Sequence, residues 1–289
     1  MDGAAALRGN RSADCADYDE SYFSSVLDLQ RNEGFLGEVD IEAQDDHCVL
    51  VSNNIPNHDF DDESADFATQ VQEVSRSFEI PRDPELAAQP TALGHGSYDA
   101  IMLNGVPVDL LSASCYKPDD PMADADGNTP IGCQVDDDWL VAPLGTEHKM
   151  GADAHNAHTQ PDGGYHYHGN PKAMFDDQPG ANGSPVIGFA ADGFPIYGSW
   201  FVDEEGTVRK AVSGYTLREG ERPSGEDSPG GSYDGMYEDD YAFTDAGDLD
   251  ECNGMTVDGQ YGYYVTDTYP WVLGCLSGTP DPSFDKGGL

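Results

Sequence analysis

The residues of this sequence that are best suited to chemistry form the tetrapeptide Tyr165-His166-Tyr167-His168. In a β-strand, side chains two positions apart point the same way, so His166 and His168 would share one face and the two tyrosines the other. His158 precedes this segment, and the turn-forming Pro161-Asp162-Gly163-Gly164 would fold it back onto the strand. Three imidazole nitrogens on one face are typical of a transition-metal site.

Histidine is concentrated in this part of the chain. His155 lies three residues before His158 and is a further candidate ligand, so four of the eight histidines fall between positions 155 and 168. The alternative is a hydrogen-bonded polar face that holds no metal. Imidazole ligands suit zinc, copper, iron and nickel, and for an exported protein we expect copper or zinc as the cofactor.

Asp192 is a candidate for a role beside such a metal. It follows the apolar run Val186–Ala191 and precedes Gly193, which is also what ordinary turn chemistry would produce. The functional alternatives are a carboxylate that orients a ligand histidine and a general base next to a metal-bound water.

A second type of metal site is suggested by Asp124, Asp126 and Asn128. Oxygen-bearing side chains at alternate positions with a neighbouring glycine resemble the start of a calcium loop. An EF-hand is excluded because Val135 stands where its final glutamate should be. A looser calcium site and a solvated acidic loop remain the two interpretations.

Six cysteines indicate an oxidising compartment. None lies in a Cys-x-x-Cys pair, so three disulfides are favoured over a zinc ribbon. Closure of short loops favours Cys115 with Cys133 and Cys252 with Cys275, which leaves Cys15 with Cys48. The start of the chain lacks a signal-peptide pattern, and six free thiols in a cytosolic protein are the alternative. The disulfides nevertheless predict a secreted, periplasmic or extracellular location.

The elements that must position these side chains are short strands. Apolar runs at 47–52, 78–81, 98–103, 186–191 and 261–266 end at turn signals, and Asp192-Gly193 predicts a hairpin. The pattern predicts a mainly β, sandwich- or barrel-like single domain with long loops and few short helices. We expect this domain over residues 45–280, with a C-terminal tail over 281–289. Residues 1–44 would form an N-terminal extension, with a short helix around Tyr22, Phe23, Val26 and Leu29.

Composition excludes several classes of partner. The chain of 289 residues has 55 acidic and 13 basic side chains, a net charge of −42. Such a protein should not bind nucleic acid, and no run reaches the roughly 20 apolar residues that membrane insertion needs. Abundant aspartate with little lysine favours a halophilic or marine source, because concentrated salt screens self-repulsion. An ordinary acidic secreted protein and a calcium-rich environment are the alternatives.

Several segments together resemble the YHYH-domain proteins, a family named for the tetrapeptide. The resemblance covers roughly residues 47 to 278, in order. Its motifs are Asn53-Asn54-Ile55-Pro56-Asn57-His58, Leu103-Asn104-Gly105-Val106-Pro107, Tyr165-His166-Tyr167-His168, the glycine-bounded segment 188–198, Leu249-Asp250-Glu251-Cys252-Asn253-Gly254, and Val265-Thr266-Asp267-Thr268-Tyr269-Pro270 with Gly274-Cys275.

This resemblance implies little about the reaction, because the family is largely of unassigned function and is often exported. It does add His58 to His158, His166 and His168 as motif-matching histidines. The family pattern also tends to carry a C-terminal Tyr-x-Tyr-His, whereas this chain has Tyr261-Gly262-Tyr263-Tyr264 without histidine. The resemblance therefore implies a changed or more open site.

We accordingly expect an exported metal-binding protein with a mononuclear histidine site. One hypothesis is a metal-dependent enzyme, either a hydrolase that uses zinc or a redox protein that uses copper. The alternative is a non-catalytic extracellular protein that binds transition metal or calcium, or a structural interaction protein. A small-molecule or surface partner cannot be named from the residues.

Overall fold

The computed structural model describes residues 9–145 and 149–287, and these are organised around two large β-sheets. In chain order the strands are β1 (Glu20–Asp28), β2 (Glu33–Ala43), β3 (His47–Ser52), β4 (Arg76–Pro81), β5 (Thr91–Ala92), β6 (Ala100–Met102), β7 (Pro107–Val108), β8 (Cys115–Tyr116), β9 (Asn128–Thr129), β10 (Ala157–Thr159), β11 (Tyr165–Tyr167), β12 (Val186–Ala190), β13 (Pro195–Tyr197), β14 (Trp200–Val202), β15 (Val208–Lys210), β16 (Tyr215–Leu217), β17 (Tyr241–Phe243), β18 (Gly254–Val257), β19 (Gln260–Tyr264) and β20 (Cys275–Leu276).

Helical structure in these ranges is confined to short 3-10 turns, at Cys15–Tyr18, Lys149–Gly151, Lys172–Met174, Glu238–Asp240 and Pro282–Phe284. The predicted mainly β class with long loops and few short helices is therefore confirmed. None of the described helices has the length and apolar character needed to cross a membrane.

The first sheet is antiparallel, in the order β1-β2-β3-β4. The second has eight strands in the order β10-β11-β7-β6-β12-β13-β19-β18, with parallel pairs at β11–β7 and β13–β19. Four further sheets have two strands each: β14-β15, β16-β17, β20-β5 and β8-β9. Within the described ranges no sheet closes on itself, so the sandwich-like interpretation fits better than the barrel-like one.

The short helix predicted near Tyr22 and Val26 is wrong. This segment is β1, and its register with β2 pairs Tyr22 with Val39 and Val26 with Phe35. Phe23 is 64% exposed while Val26 is buried, which is the alternation of a strand on a sheet and not the stripe of a helix. β2 in turn pairs with β3. Part of the proposed N-terminal extension therefore belongs to one sheet with residues beyond 45.

The division into an extension, a domain over 45–280 and a tail stays a prediction, and residues 1–8 and 288–289 at its ends lie outside the described ranges. One core joins the two large sheets, as in the contact of Phe78 on β4 with Tyr98 before β6. Within the proposed tail, Phe284 is fully buried and packs on Phe78.

Disulfides connect the loops to this framework in the pattern favoured by short-loop closure. The structure joins Cys15 to Cys48, Cys115 to Cys133 and Cys252 to Cys275. The first and third pairs lie against the main core, whereas the second forms a small separate cluster with Leu140.

The acidic composition predicts that salt stabilises the fold. Thirteen Lys and Arg can pair with only a fraction of 55 acidic residues, so many carboxylates repel one another without compensation. Raising NaCl from a few millimolar to roughly 2 M should raise the melting temperature, because the Debye length falls to about 3 Å at 1 M. Thermal melts in NaCl, with sucrose as an uncharged stabilising control, measure the effect. A melting temperature that stays flat or falls with NaCl contradicts the prediction.

Candidate metal centre

A tight β-hairpin positions the histidines. β10 and β11 run antiparallel with His158 directly opposite His166, so both side chains project from the same face. Between the strands, the Gln160 N–H donates to the Gly164 carbonyl and the Gly163 N–H donates to the Gln160 carbonyl. Gly163 has φ +83°, a conformation that only glycine adopts without strain. The turn predicted from the sequence thus folds His158 back onto the strand.

His168 completes the group from just beyond β11. Its backbone N–H donates to the Asn156 carbonyl, which extends the hairpin pairing by one step. Nε2 of His168 lies 2.9 Å from Nε2 of His158 and 3.0 Å from Nε2 of His166. His166 and His168 are buried, and His158 is partly buried. We call His158, His166 and His168 the histidine triad.

The separations within the histidine triad match shared coordination of one ion. Two nitrogens bound at about 2.0–2.1 Å from a zinc ion lie roughly 2.8–3.4 Å apart for bond angles between about 90° and 109°. One ring nitrogen of each of the three residues also lies within 4.8 Å of those of the other two. The donor set therefore fits a transition-metal ion.

Proton counting favours an ion over an internal hydrogen-bond chain. Nδ1 of His158 lies 2.8 Å from the Met150 carbonyl and must donate to it, so in the neutral ring Nε2 carries only a lone pair. His168 Nε2 can then donate to His158 or accept from His166, but a single nitrogen cannot do both. At least one contact near 3 Å thus brings two nitrogens together without a hydrogen bond, which a bound cation would relieve.

Burial keeps the three imidazoles in the neutral form that ligates metal. It lowers the pKa of His166 and of His168 well below the usual value. The nearby His158 ring lowers both pKa values further, and the His168 ring also lowers that of His166. The pKa of His158 is also lowered, again chiefly by burial. Nδ1 of His166 and Nδ1 of His168 are buried without a hydrogen-bond partner within the described ranges. The nearby carbonyls of Gly164 and Leu110 favour the charged rings, but less strongly than burial opposes them.

Next to the histidine triad lies an ion pair that the sequence analysis did not predict. The Lys286 ammonium donates to Asp109 Oδ2 at 2.7 Å, and the Gln160 side chain donates to the same oxygen at 2.7 Å. The lysine charge lowers the pKa of His166 and of His168, whereas the Asp109 charge raises that of His158. Asp109 directly follows β7, which pairs with β11, but nothing in the local sequence marks Lys286 as its partner.

The opposite face of β11 holds the other two candidate histidines. The Tyr167 hydroxyl contacts His58 Nε2 at 2.7 Å and accepts from the Asn104 amide at 2.9 Å. The His58 ring packs on His155, with 3.9 Å between ring centroids. Burial and the nearby His155 lower the pKa of His58 to about 3. The structure therefore does not bring His58 or His155 to the histidine triad.

This face has its own polar network. The Tyr165 hydroxyl donates to Asp153 Oδ2 at 2.6 Å, and the backbone N–H of His155 donates to Asp153 Oδ1 at 2.9 Å. His58 donates from Nδ1 to the Asp59 carbonyl, so its Nε2 accepts the proton of Tyr167. Asn104, which belongs to a segment of the family motif, is thereby placed as a partner of a motif tyrosine.

Asp192 has contacts that account for its burial without a metal. Its carboxylate accepts from the Tyr263 hydroxyl at 2.6 Å and from the backbone N–H groups of Gly278 and Phe194. Burial raises the pKa of this carboxyl. These bonds tie the β12–β13 turn to β19 and to the segment after β20, and none of them involves the histidine triad.

The proposed calcium residues are arranged around a hairpin turn that joins β8 and β9. Asp124 Oδ1 accepts from the N–H groups of Asp126 and Asn128, both at 2.9 Å. Asn128 turns its side-chain oxygen to the Tyr237 hydroxyl at 2.7 Å. The Asn128 oxygen is thus engaged by Tyr237, and the calcium site stays a prediction.

Two other groups bring cysteine close to carboxylate: Cys15 and Cys48 lie near Asp14, and Cys115 and Cys133 lie near Asp137. Their sulfurs are joined in disulfides, and a metal ligand must be a thiolate. In residues 9–145 and 149–287 the histidine triad is thus the group whose donors are available to a transition metal.

Comparison with known proteins gives one finding for the whole site. The sequence model of the family described as "YHYH protein" matches residues 77–278, which contain the entire histidine triad. No curated protein and no solved structure matches the chain.

Proposed function

Because the chain belongs to the YHYH protein family and three histidines within the matched region converge, we propose that it binds one transition-metal ion, zinc or copper, through His158, His166 and His168. The observation that carries the proposal is the pair of Nε2–Nε2 contacts at 2.9 and 3.0 Å, of which at least one lacks a hydrogen bond. The neutral, buried imidazoles present lone pairs without competition from protons.

We further propose that the protein is exported. Three disulfides support this, since they persist in oxidising compartments. With all six cysteines paired in the described structure, the donors are nitrogens without thiolate. Such a set suits zinc and copper.

The donor count favours an open coordination position. Three histidines leave one position of a tetrahedral zinc ion for water, as in hydrolytic zinc sites, whereas structural sites use four protein ligands. A bound zinc would lower the pKa of that water to about 7, and copper would supply redox chemistry. The hydrolase and copper redox hypotheses, and the non-catalytic binder, are thus alternatives that share one metal site.

Metal titration tests the proposal directly. Chelator-treated protein should bind one equivalent of Zn²⁺ in calorimetry, and free zinc at 1,000 times Kd should stabilise the fold by about 4.1 kcal/mol. Experiments in 0.5 M NaCl with excess Mg²⁺ suppress binding to surface carboxylates. Copper is titrated separately. The absorption spectrum of the Co²⁺ form reports the coordination number. If neither zinc nor copper binds at one equivalent under these conditions, the proposal is wrong.

A further inference from the structure

A cleft that borders the histidine triad at Leu110 but contains none of its three side chains combines an apolar wall with two unused polar groups. It encloses about 170 Å³, slightly more than an apolar cavity of about 150 Å³ that holds benzene. Its wall includes Leu110, Leu111, Leu273 and Trp271, with Glu238 and Tyr269 as its titratable side chains.

Glu238 differs from the two acidic residues that follow it. Asp239 accepts a hydrogen bond from the backbone N–H of Trp139 at 2.9 Å, and Asp240 pairs with Arg222 at 2.6 Å. The Glu238 carboxyl has no hydrogen-bond or cation partner among the described residues, although it is only partly exposed. Burial, and then the charges of Asp239 and Asp99, raise its pKa to about 8. Ionising this carboxyl is therefore costly unless a cationic partner is present.

Tyr269 provides the second polar group on a rigid aromatic wall. Its ring stacks on Tyr241 with 4.3 Å between centroids and 6° between planes, and it meets the Trp271 ring edge-on at 5.3 Å. The hydroxyl finds no hydrogen-bond partner within the described ranges, and burial, followed by the Glu238 charge, raises its pKa. The two polar groups thus lie near each other at the same apolar cleft.

We propose that this cleft binds a small organic ammonium ion with a compact hydrocarbon body, its nitrogen at Glu238 and its body against Leu111, Leu273 and Trp271. An ammonium group supplies the donors that the carboxylate lacks, and aromatic rings attract a cation further. The net charge of −42 concentrates organic cations near the surface and repels anions. A neutral or anionic ligand would leave the carboxylate uncompensated.

The probe is benzylammonium, whose ring is the size of benzene, with benzyl alcohol and benzoate as neutral and anionic analogues of similar shape. Binding is measured on the whole metal-free chain by calorimetry and ligand-observed NMR in 0.5 M NaCl at pH 8.5, above the pKa of Glu238. We expect one equivalent of benzylammonium to bind at least tenfold more tightly than benzyl alcohol, and benzoate not to bind.

Three variants separate this site from general attraction to an acidic protein. Glu238→Gln keeps the shape and should lower benzylammonium affinity at least tenfold, to the level of the alcohol. Leu111→Trp should fill the cleft and weaken both ligands. Glu219→Gln removes an exposed carboxylate elsewhere and should change nothing. Equal affinity of the unmodified chain and Glu238→Gln for benzylammonium would overturn the proposal, as would an equal loss in Glu219→Gln. Metal stoichiometry should be the same in all three.

Discussion

Replacing His166 and His168 together with alanine is expected to abolish stoichiometric binding of zinc and copper. The substitutions remove two of three nitrogens that lie within about 3 Å of their neighbours, and one remaining imidazole cannot hold the ion. The loss should exceed the roughly 10–100-fold that removing an outer hydrogen-bond partner of a metal ligand costs. Calorimetry and elemental analysis after dialysis measure it, and circular dichroism checks that the strand content is retained.

The matched control is the double variant His58→Ala with His155→Ala. It also removes two histidines from the same hairpin region, but these lie on the tyrosine face of β11. It should retain one equivalent of metal, although loss of the bond to Tyr167 will lower its stability. If the His166 and His168 variant still binds one equivalent with unchanged affinity, the histidine triad is not the site. If the control variant loses metal, His58 or His155 contributes after all.

The local parts of this site could be predicted because each depends on a short stretch of sequence. A two-residue period puts His166 and His168 on one face whatever the rest of the fold does. The Pro161–Gly164 turn fixes how His158 returns, and the observed register places it opposite His166. The strand alternation also explains why Tyr165 and Tyr167 point away from the triad and toward His58.

The remaining parts depend on contacts between distant segments. The resemblance suggests His58 as a ligand, although it lies outside the matched residues 77–278. Only the folded structure shows that it meets Tyr167 and not the triad. Lys286 reaches Asp109 across 177 positions of sequence. In the same way, the spacing of Tyr22 and Val26 fits a helix in isolation, but pairing with β2 over nine positions makes the segment a strand. None of these distant contacts could be identified from local periodicity.

Reducing the three disulfides should remove most of the stability of the fold. They close loops with sequence separations of 33, 18 and 23 residues. Loop-closure entropy gives each about 3–4 kcal/mol, or roughly 10 kcal/mol together. A folded domain typically has only about 5–15 kcal/mol in total. Metal-free protein in a phosphine reductant should therefore unfold near room temperature or melt far below the oxidised form.

Single pairs should differ according to what they anchor. Replacing Cys115 and Cys133 with alanine affects a small satellite cluster, so metal binding should persist although the melting temperature falls by roughly 5–12 °C, as expected for about 3 kcal/mol in a chain of this size. Replacing Cys15 and Cys48 opens the main core between the N-terminal segment and β3, and the fall in melting temperature should be larger.

A thiol titration of the denatured, unreduced chain must find essentially no free thiol. If reduction leaves the melting temperature within a few degrees of the oxidised value, the core alone stabilises this fold. The disulfides would then no longer support the proposal that the protein is exported.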